Sequence, residues 1–269
     1  MLTLVPTPIG NISDISLRAM ETLFNADVLL CEDTRVTKKL LNILIERYSQ
    51  ERKEQQFIAV HSHNEYDFIK NLRKDFFEKN VVYVSDAGMP GISDPAQLLV
   101  RYCLDNDIAY DVLPGANAAL TAFVASGFVT TEMLFYGFIP HKGSDRKRAL
   151  LGAMYNGFTT VLYESPHRLI KLLEEINTED PFRRVFLAKE LTKRYQSFYS
   201  GTAKEITQQL KLHVKGEWVV VIEKADARNT TLSEQDILEF DIPKKSASKL
   251  ISKITGENPK ACYQRLIEN

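Results

Sequence analysis

The residues best placed to do chemistry lie in a few short stretches. Ser85-Asp86-Ala87-Gly88-Met89-Pro90-Gly91-Ile92-Ser93-Asp94-Pro95 follows directly on the apolar run Val81–Val84. Ala87, Gly88, Gly91 and Ser93 are small, so backbone N–H and C=O groups can approach a ligand closely, and Pro90 restricts the loop before binding. Asp86 stands where a strand should end and is a candidate ligand contact. Asp94-Pro95 suits a helix N-cap followed by proline at the first helical position. The stretch lacks the lysine of a Gly-x-x-x-x-Gly-Lys-Ser/Thr loop and the spacing of Gly-x-Gly-x-x-Gly, so neither common nucleotide signature is present. Glu32-Asp33-Thr34-Arg35 can make an internal ion pair with a helix cap at Asp33 or Thr34, or present its charges to a cleft. Glu164-Ser165-Pro166-His167-Arg168 has the same double reading, with Ser165 as N-cap. Lys189-Glu190-Leu191-Thr192-Lys193-Arg194 is dense in charge at a strand's end, where side chains often point into a cleft. His61 and His63 alternate as two metal ligands would, but no matching cysteine or carboxylate spacing accompanies them, and no metal is expected.

The surrounding pattern says what must hold these stretches. Residues 2–5, 28–31, 57–60, 81–84 and 109–113 read as strands, and 17–26, 37–47, 64–78 and 95–104 as helices. Strands that are continuous apolar runs joined through helices argue for a mostly parallel α/β sheet. In such a sheet ligands sit beyond the carboxyl ends of the strands. The stretches 6–11, 32–35, 61–65, 85–94 and 114–117 all fall there and should share one rim. A small-residue helix over 117–128 leads to a second α/β layer. Its strands are expected near 133–137, 160–163, 184–188, 196–199 and 217–222, and its helices near 146–155, 166–175 and 203–212. After a polar linker at 225–231 come a short helix from 232 and two more over 246–255 and 259–267, with Gly256 as a C-cap. Three domains follow: 1–115 and 116–225, both α/β, and a small helical 226–269.

Totals bound the function. The chain has 269 residues, 44% of them hydrophobic and 26% charged, with a net charge of −1. Bulk charge does not mark a nucleic-acid binder. No apolar run is long enough to cross a bilayer. The first residues carry no basic region, and the three cysteines lie far apart, so a cytoplasmic protein without membrane contact is expected. Charge is nevertheless uneven. Lys142, Arg146, Lys147 and Arg148 stand against Asp145, and Lys244, Lys245, Lys249, Lys253, Lys260 and Arg265 against Glu257 and Glu268. Each cluster is a solvated helix face or a phosphate-binding patch.

Nine segments in order carry a resemblance: LVPTPIGNISDISLRA, LCEDTR, HSHNE, VSDAGMPGISDP, LPGANAALTAFVASGF, FYGFIPHKGSDR, YESPHR, AKELTKRYQSFYSGT and GEWVVVIE. Together they resemble the tetrapyrrole (class III) methyltransferase family, and more narrowly its ribosomal RNA branch. The resemblance implies two α/β domains with S-adenosylmethionine (SAM) in the cleft between them, usually in a homodimer. It implies methylation of a cytidine ribose 2′-hydroxyl in the decoding region of 16S rRNA, with that RNA or the 30S subunit as partner. Carried over by position, Asp86, Ala87, Gly88, Ile92 and Ser93 would contact the methionine part of SAM. Pro8, Ala118, Ala119, Leu120 and Thr121 would flank it, and Phe138, Pro140, Thr202 and Ala203 would approach the adenosine. The first loop, Pro6-Thr7-Pro8-Ile9-Gly10-Asn11, departs from the Gly-Pro-Gly-Asp of tetrapyrrole-modifying members, which favours the RNA branch.

Methyl transfer from a sulfonium depends on alignment and exclusion of water, and a ribose hydroxyl benefits from a base as its proton leaves. Glu190 and Asp33 are candidate bases, and Lys189 or Arg35 could stabilise developing alkoxide charge. On this reading Lys142, Arg146, Lys147, Arg148, Lys244, Lys245, Lys249 and Lys253 are candidate rRNA phosphate contacts. The competing readings are a small-molecule, tetrapyrrole-type SAM methyltransferase and a non-catalytic RNA-binding module of the same fold.

Overall fold

The apolar runs of the first third become the buried middle of a parallel sheet. The structure, a computed structural model, describes residues 1–49, 51–210, 214–225, 234–240 and 242–268. The strands are β1 (Leu2–Leu4), β2 (Val28–Cys31), β3 (Gln56–Ala59), β4 (Val81–Val84) and β5 (Tyr110–Val112), in the order β3-β2-β4-β1-β5. Every residue of β1, β2 and β4 is buried, as a sheet covered on both faces requires. Alternation divides their side chains. Leu29, Cys31, Val82 and Val84 pack with Leu23 and Phe24 of α1 (Leu17–Asn25) and with Leu41 and Leu44 of α2 (Thr34–Tyr48). Leu2, Leu4, Val28, Leu30, Val81 and Tyr83 face the other way. There they meet Phe68 and Ile69 of α3 (Glu65–Lys70) and Leu99 and Cys103 of α4 (Gln97–Asp105).

The single helix expected over 64–78 is two pieces: α3 ends at Lys70 and a 3-10 turn follows at Lys74–Glu78. Phe76 and Phe77 are adjacent, and both pack onto the same core. Neighbours on an α-helix point some 100° apart, so a continuous helix would turn one of them away.

Beyond β5 the chain passes over the first loop so closely that a Cβ on Gly115 would lie 2.5 Å from Pro6 Cβ. Gly115→Ala should therefore displace the first loop and lower stability by about 1–3 kcal/mol. Chemical denaturation reads this directly, and an unchanged midpoint would mean the loop yields freely.

The second sheet is mixed. Between α5 (Ala118–Ala125) and the end of the sheet run β6 (Met133–Gly137), α6 (Gly143–Met154), β7 (Thr159–Glu164), α7 (Pro166–Glu179) and β8 (Arg184–Lys189). β9 (Ser197–Thr202), α8 (Ala203–Gln209) and β10 (Trp218–Ile222) complete it. The order is β6-β7-β10-β8-β9, with β6–β7 parallel and the other three pairings antiparallel. α5 buries Ala119 and Ala122 against Val161, Phe186, Ala188, Val219 and Val221, and its small residues permit that close approach. The strand expected at 196–199 runs on to Thr202, because all six of its residues pair with β8. The last residues of the helix expected over 203–212 lie outside the described residues.

Both sheets fall within one compact unit, residues 1–154 and 158–224. The second unit, residues 155–157 and 225–269, contains α9 (Glu234–Glu239), α10 (Lys244–Thr255) and α11 (Pro259–Glu268). Its core is Ile237, Ala247, Ile251, Cys262 and Leu266. Gly256, at φ 75°, ends α10 in the left-handed conformation that glycine adopts most readily. Most of the expected linker at 225–231, and Leu232 and Ser233, lie outside the described residues. Among the described residues no helix is long and apolar enough to cross a membrane.

Candidate active site

The strand-end loops of the parallel sheet are tied to one another. Thr7 and Gly88 form an isolated bridge, each donating its N–H to the other's carbonyl at 3.0 Å. The Asp33 N–H donates to Asp86 Oδ1 at 3.0 Å, and the Asp86 N–H donates to Glu32 Oε2 at 3.2 Å. Gly88 has φ +83°, and a Cβ there would meet Ile9 Cγ2 at 3.1 Å, so only glycine lets the loops close this tightly. Asn117 caps α5 by accepting from the Leu120 N–H.

This rim faces a cavity of about 480 Å³, within the range of small-molecule sites. One wall is the loop from Asp86 to Asp94 with Ile9, Glu32, Asn117 and Ala118. The opposite wall comes from the second sheet: Phe138, Tyr163, Glu164, Ser165, Pro166, Ala188, Leu191 and residues 216–219. Phe138 meets Tyr163 edge to face with centroids 5.6 Å apart, giving this wall an aromatic surface.

Three carboxyls, Glu32, Asp86 and Asp94, line the first wall. Burial, and then the charge of Glu32, push the Asp94 carboxyl up to about 6, although a hydrogen bond from Ser85 opposes the shift. The same two causes raise Asp86 from the usual carboxylate range. The expected cap role of Asp94 is corrected. α4 begins at Gln97 after Ala96, whose φ is 132°, and no side chain of the cap residue closes the helix. Glu65, buried at the start of α3, accepts the Ala96 N–H at 2.9 Å instead. With that N–H satisfied from another element, Asp94 turns to the cavity.

The catalytic candidates lie elsewhere. Asp33 caps α2, accepting from the Arg35 N–H, and its carboxylate is gripped by the Arg35 guanidinium at 2.5–3.1 Å. Those bonds hold its pKa down to about 2, while the Arg35 side chain is 89% exposed. Glu190 Oε1 accepts from the Glu217 N–H at 2.8 Å and from Lys193 Nζ at 3.3 Å, which lowers its pKa. Lys189 Nζ lies 5.5 Å from the centre of the Trp218 ring. None of the four is on the cavity wall. Asp33 and Glu190 are already committed to cations and backbone N–H groups, which makes both weak proton acceptors.

Of the residues matched to the cofactor, Asp86, Ala87, Gly88, Ile92, Ser93, Ala118 and Phe138 line the cavity, and Pro8, Ala119, Leu120, Thr121, Pro140, Thr202 and Ala203 do not. Ala119 belongs to the core beneath α5. Thr202 is the N-cap of α8 in a capping box with Glu205, and Ala203 is buried behind it. Sequence reasoning missed Glu32, Tyr163, Leu191 and the 216–219 segment as wall residues, although all of them stand in stretches it singled out. His61 and His63 pack edge to face with centroids 5.9 Å apart.

The basic residues divide as well. Lys142, Lys147 and Arg148 are exposed, but Arg146 is not a phosphate contact: its side chain is 3% exposed. It pairs with Glu175 at 2.7 Å, lies 3.7 Å from the fully buried Glu164, and donates to the Pro140 carbonyl. Its helix turns Arg146, Ala149, Leu150 and Ala153 inward, and a charge on that face must be paired. In the second unit Lys245, Lys249 and Lys253 are exposed at four-residue spacing, one stripe along α10. Lys244 donates to the Leu266 carbonyl, and Arg265 is bound to Glu234 and Glu257.

The family model for tetrapyrrole (corrin/porphyrin) methylases matches residues 1–207. The chain belongs to the tetrapyrrole methylase family. Its curated relatives within that family include a protein of Campylobacter fetus named ribosomal RNA small subunit methyltransferase I, 43% identical over 99% of this chain and 100% of the relative. A Helicobacter pylori protein of the same name is 41% identical over 100% of this chain and 98% of its own length. Solved structures of family fold include the methyltransferase CobJ, at TM-score 0.60 and 18% identity, covering 83% of this chain and 94% of that one. A Thermus thermophilus uroporphyrin-III C-methyltransferase complexed with S-adenosylhomocysteine superposes at TM-score 0.55 and 14% identity, covering 82% and 96%. At these identities the structural matches establish the tetrapyrrole methylase fold and nothing further.

Proposed function

We propose that this chain transfers a methyl group from SAM to the ribose 2′-hydroxyl of a cytidine in the decoding region of 16S rRNA, acting in the cytoplasm as a homodimer on rRNA or the 30S subunit. The observation that carries the reading is the pairing of an acidic, small-residue wall with an aromatic wall across one cavity. SAM is a cation with a planar base, and both of its ends find suitable surfaces there. SAM, when bound, supplies an electrophilic methyl group on a positively charged sulfur. Ala87 and Gly88 offer backbone to its methionine part, Phe138 and Tyr163 offer ring surface to its adenine, and Glu32 and Asp86 favour its positive charge. Asp94 is the proton acceptor: it is on the cavity wall, and its pKa of about 6 makes it ionised yet basic near neutrality. Support for a homodimer comes from α5, where Leu120 is 55% and Val124 78% exposed, leaving apolar surface that a second copy would cover.

Phosphate contacts are assigned to Lys142, Lys147 and Arg148 and to the lysine stripe of α10. Replacing Lys245, Lys249 and Lys253 together by glutamine should weaken RNA binding and flatten its salt dependence by roughly two to three units of slope, about 0.7–0.9 per phosphate contact. SAM affinity, measured by calorimetry, should not move. An unchanged salt slope would leave the stripe a solvated helix face.

The test of the function is transfer of label from tritiated SAM to three acceptors: 30S subunits, naked rRNA and a tetrapyrrole. Labelled ribose in RNA supports the reading. Labelled tetrapyrrole with unlabelled RNA replaces it with a small-molecule methyltransferase. RNA binding without transfer replaces it with a binding module.

A further inference from the structure

The segment between β8 and β9 is built as two successive turns, and its backbone is held in a costly conformation. The Lys193 N–H donates to the Glu190 carbonyl at 3.0 Å, and the Gln196 N–H donates to the Lys193 carbonyl at 3.1 Å. Glu190 (φ 49°) and Thr192 (φ 62°) are both left-handed without being glycine. Such residues persist where the surroundings over-determine them, and they concentrate at functional sites. The surroundings here are explicit. The Thr192 N–H donates to Gln196 Oε1 at 2.6 Å, and Lys193 Nζ bridges Glu190 at 3.3 Å and Glu217 at 2.9 Å. The Asn11 N–H donates to Thr192 Oγ1 at 2.9 Å. Gly10 lies so close that a Cβ would be 2.5 Å from Lys193 Cγ.

All of this fixation serves a tip that packs on little. Arg194 and Tyr195 are the two central residues of the second turn, and Tyr195 is 69% exposed. The Arg194 guanidinium lies 5.6 Å from the centre of the Tyr195 ring. Leu191, in the first of these turns, and Glu217, which pairs with Lys193, are on the cavity wall, so the segment that carries the tip starts from that wall. A rigidly held, exposed aromatic ring beside a planar cation is what a splayed-out nucleobase and its phosphate require. Ordering the platform in advance removes an entropic cost from binding.

We infer that Tyr195 stacks on an unpaired base next to the methylated nucleotide and that Arg194 contacts the adjoining phosphate. This rests on the RNA reading proposed above. It makes the 193–196 turn a positioning device that aims one ribose at the cavity.

The experiment compares the unaltered chain with Tyr195→Ala, Tyr195→Phe and Arg194→Gln. The readouts are KM for RNA, SAM affinity by calorimetry, and fluorescence of RNA oligonucleotides carrying 2-aminopurine at positions flanking the target. Tyr195→Ala should raise KM for RNA roughly 5- to 150-fold, the range for losing one stacked base, with SAM affinity unchanged. Tyr195→Phe should behave as the unaltered chain, because the ring and not its hydroxyl does the stacking. Quenching at one flanking position should persist with Tyr195→Phe and vanish with Tyr195→Ala. Arg194→Gln should weaken RNA binding and flatten its salt dependence. RNA methylation with unchanged KM for Tyr195→Ala overturns the inference and leaves the function standing. Equal damage to SAM affinity also overturns it, because the turn would then serve the cofactor pocket. If the unaltered chain methylates no RNA, the function and this inference fall together.

Discussion

Asp94→Asn should lower kcat/KM for RNA methylation at least about 100-fold at pH 7.5, the loss expected when a positioned base is removed. Asparagine keeps the shape of the side chain and cannot take a proton. The pH profile gives the sign. The unaltered carboxyl holds its proton until about pH 6, so kcat/KM should rise with pH through that value and level off above it. In Asp94→Asn the residual rate should lose that limb. SAM affinity at pH 7.5 should stay within a few fold, which separates a lost base from a lost cofactor site. Stability adds an independent check. The folded pKa is raised above the ordinary Asp value of 3.8, so the folded state holds the proton more tightly than the unfolded chain. Asp94 therefore costs stability progressively from about pH 4 to 6, and the full cost remains above 6. Asp94→Asn should thus melt at or above the unaltered chain at pH 7 while being nearly inactive. Full turnover with bound SAM would remove Asp94 from the mechanism.

The second large effect is on folding. Arg146→Met should destabilise the protein by roughly 3–5 kcal/mol, because it leaves Glu164, whose side chain is fully buried, without one of its two cations. Arg168 remains at 2.7 Å from Glu164, which argues for the lower half of that range. Arg148→Ala, two positions on, breaks only an exposed pair with Asp145 and should cost less than about 1 kcal/mol. Thermal unfolding distinguishes them, with a drop of roughly 6–20 °C for the first and little for the second. Native stability with weakened RNA binding in Arg146→Met would instead return this residue to the phosphate patch.

Arg146 also shows what the sequence can and cannot disclose. By charge it looks like its neighbours Lys147 and Arg148. Its spacing to Ala149, Leu150 and Ala153 is the spacing of a buried helical face, so the signal was present and local charge density obscured it. The parallel sheet was legible for a related reason: Val28–Cys31 and Val81–Val84 are uninterrupted apolar runs, and such runs have one comfortable environment. The rim followed from the sheet, because strand ends and loop composition coincide there. Asp94 was misread because its role depends on Glu65, a residue distant in sequence that occupies the Ala96 N–H. No local pattern records that substitution of one acceptor for another. The engagement of Glu190 is equally invisible locally, since the Glu217 N–H that it accepts comes from just before β10. The aromatic wall was only half visible. Phe138 and Tyr163 both stand in family segments, but only Phe138 was matched to the cofactor, because Tyr163 ends an apolar strand and reads as core.

The ties around the cavity differ in number from one side to the other. On the parallel-sheet side, Thr7 and Gly88 exchange hydrogen bonds, the Asp33 N–H donates to Asp86, and the Asp86 N–H donates to Glu32. These loops form a braced frame that cannot splay one member at a time. Across the cavity the first loop reaches the second sheet through the Asn11 N–H donated to Thr192 Oγ1, the close fit of Gly10 against the β8–β9 turns, and Ile9, which packs on the core that holds Ala188, Leu191 and Val219. The first loop is thus a shared hinge-pin of both walls: it is bonded to the Asp86–Asp94 loop on one side and seated on the second sheet on the other, so a change at Gly10 or Ile9 reaches both walls at once.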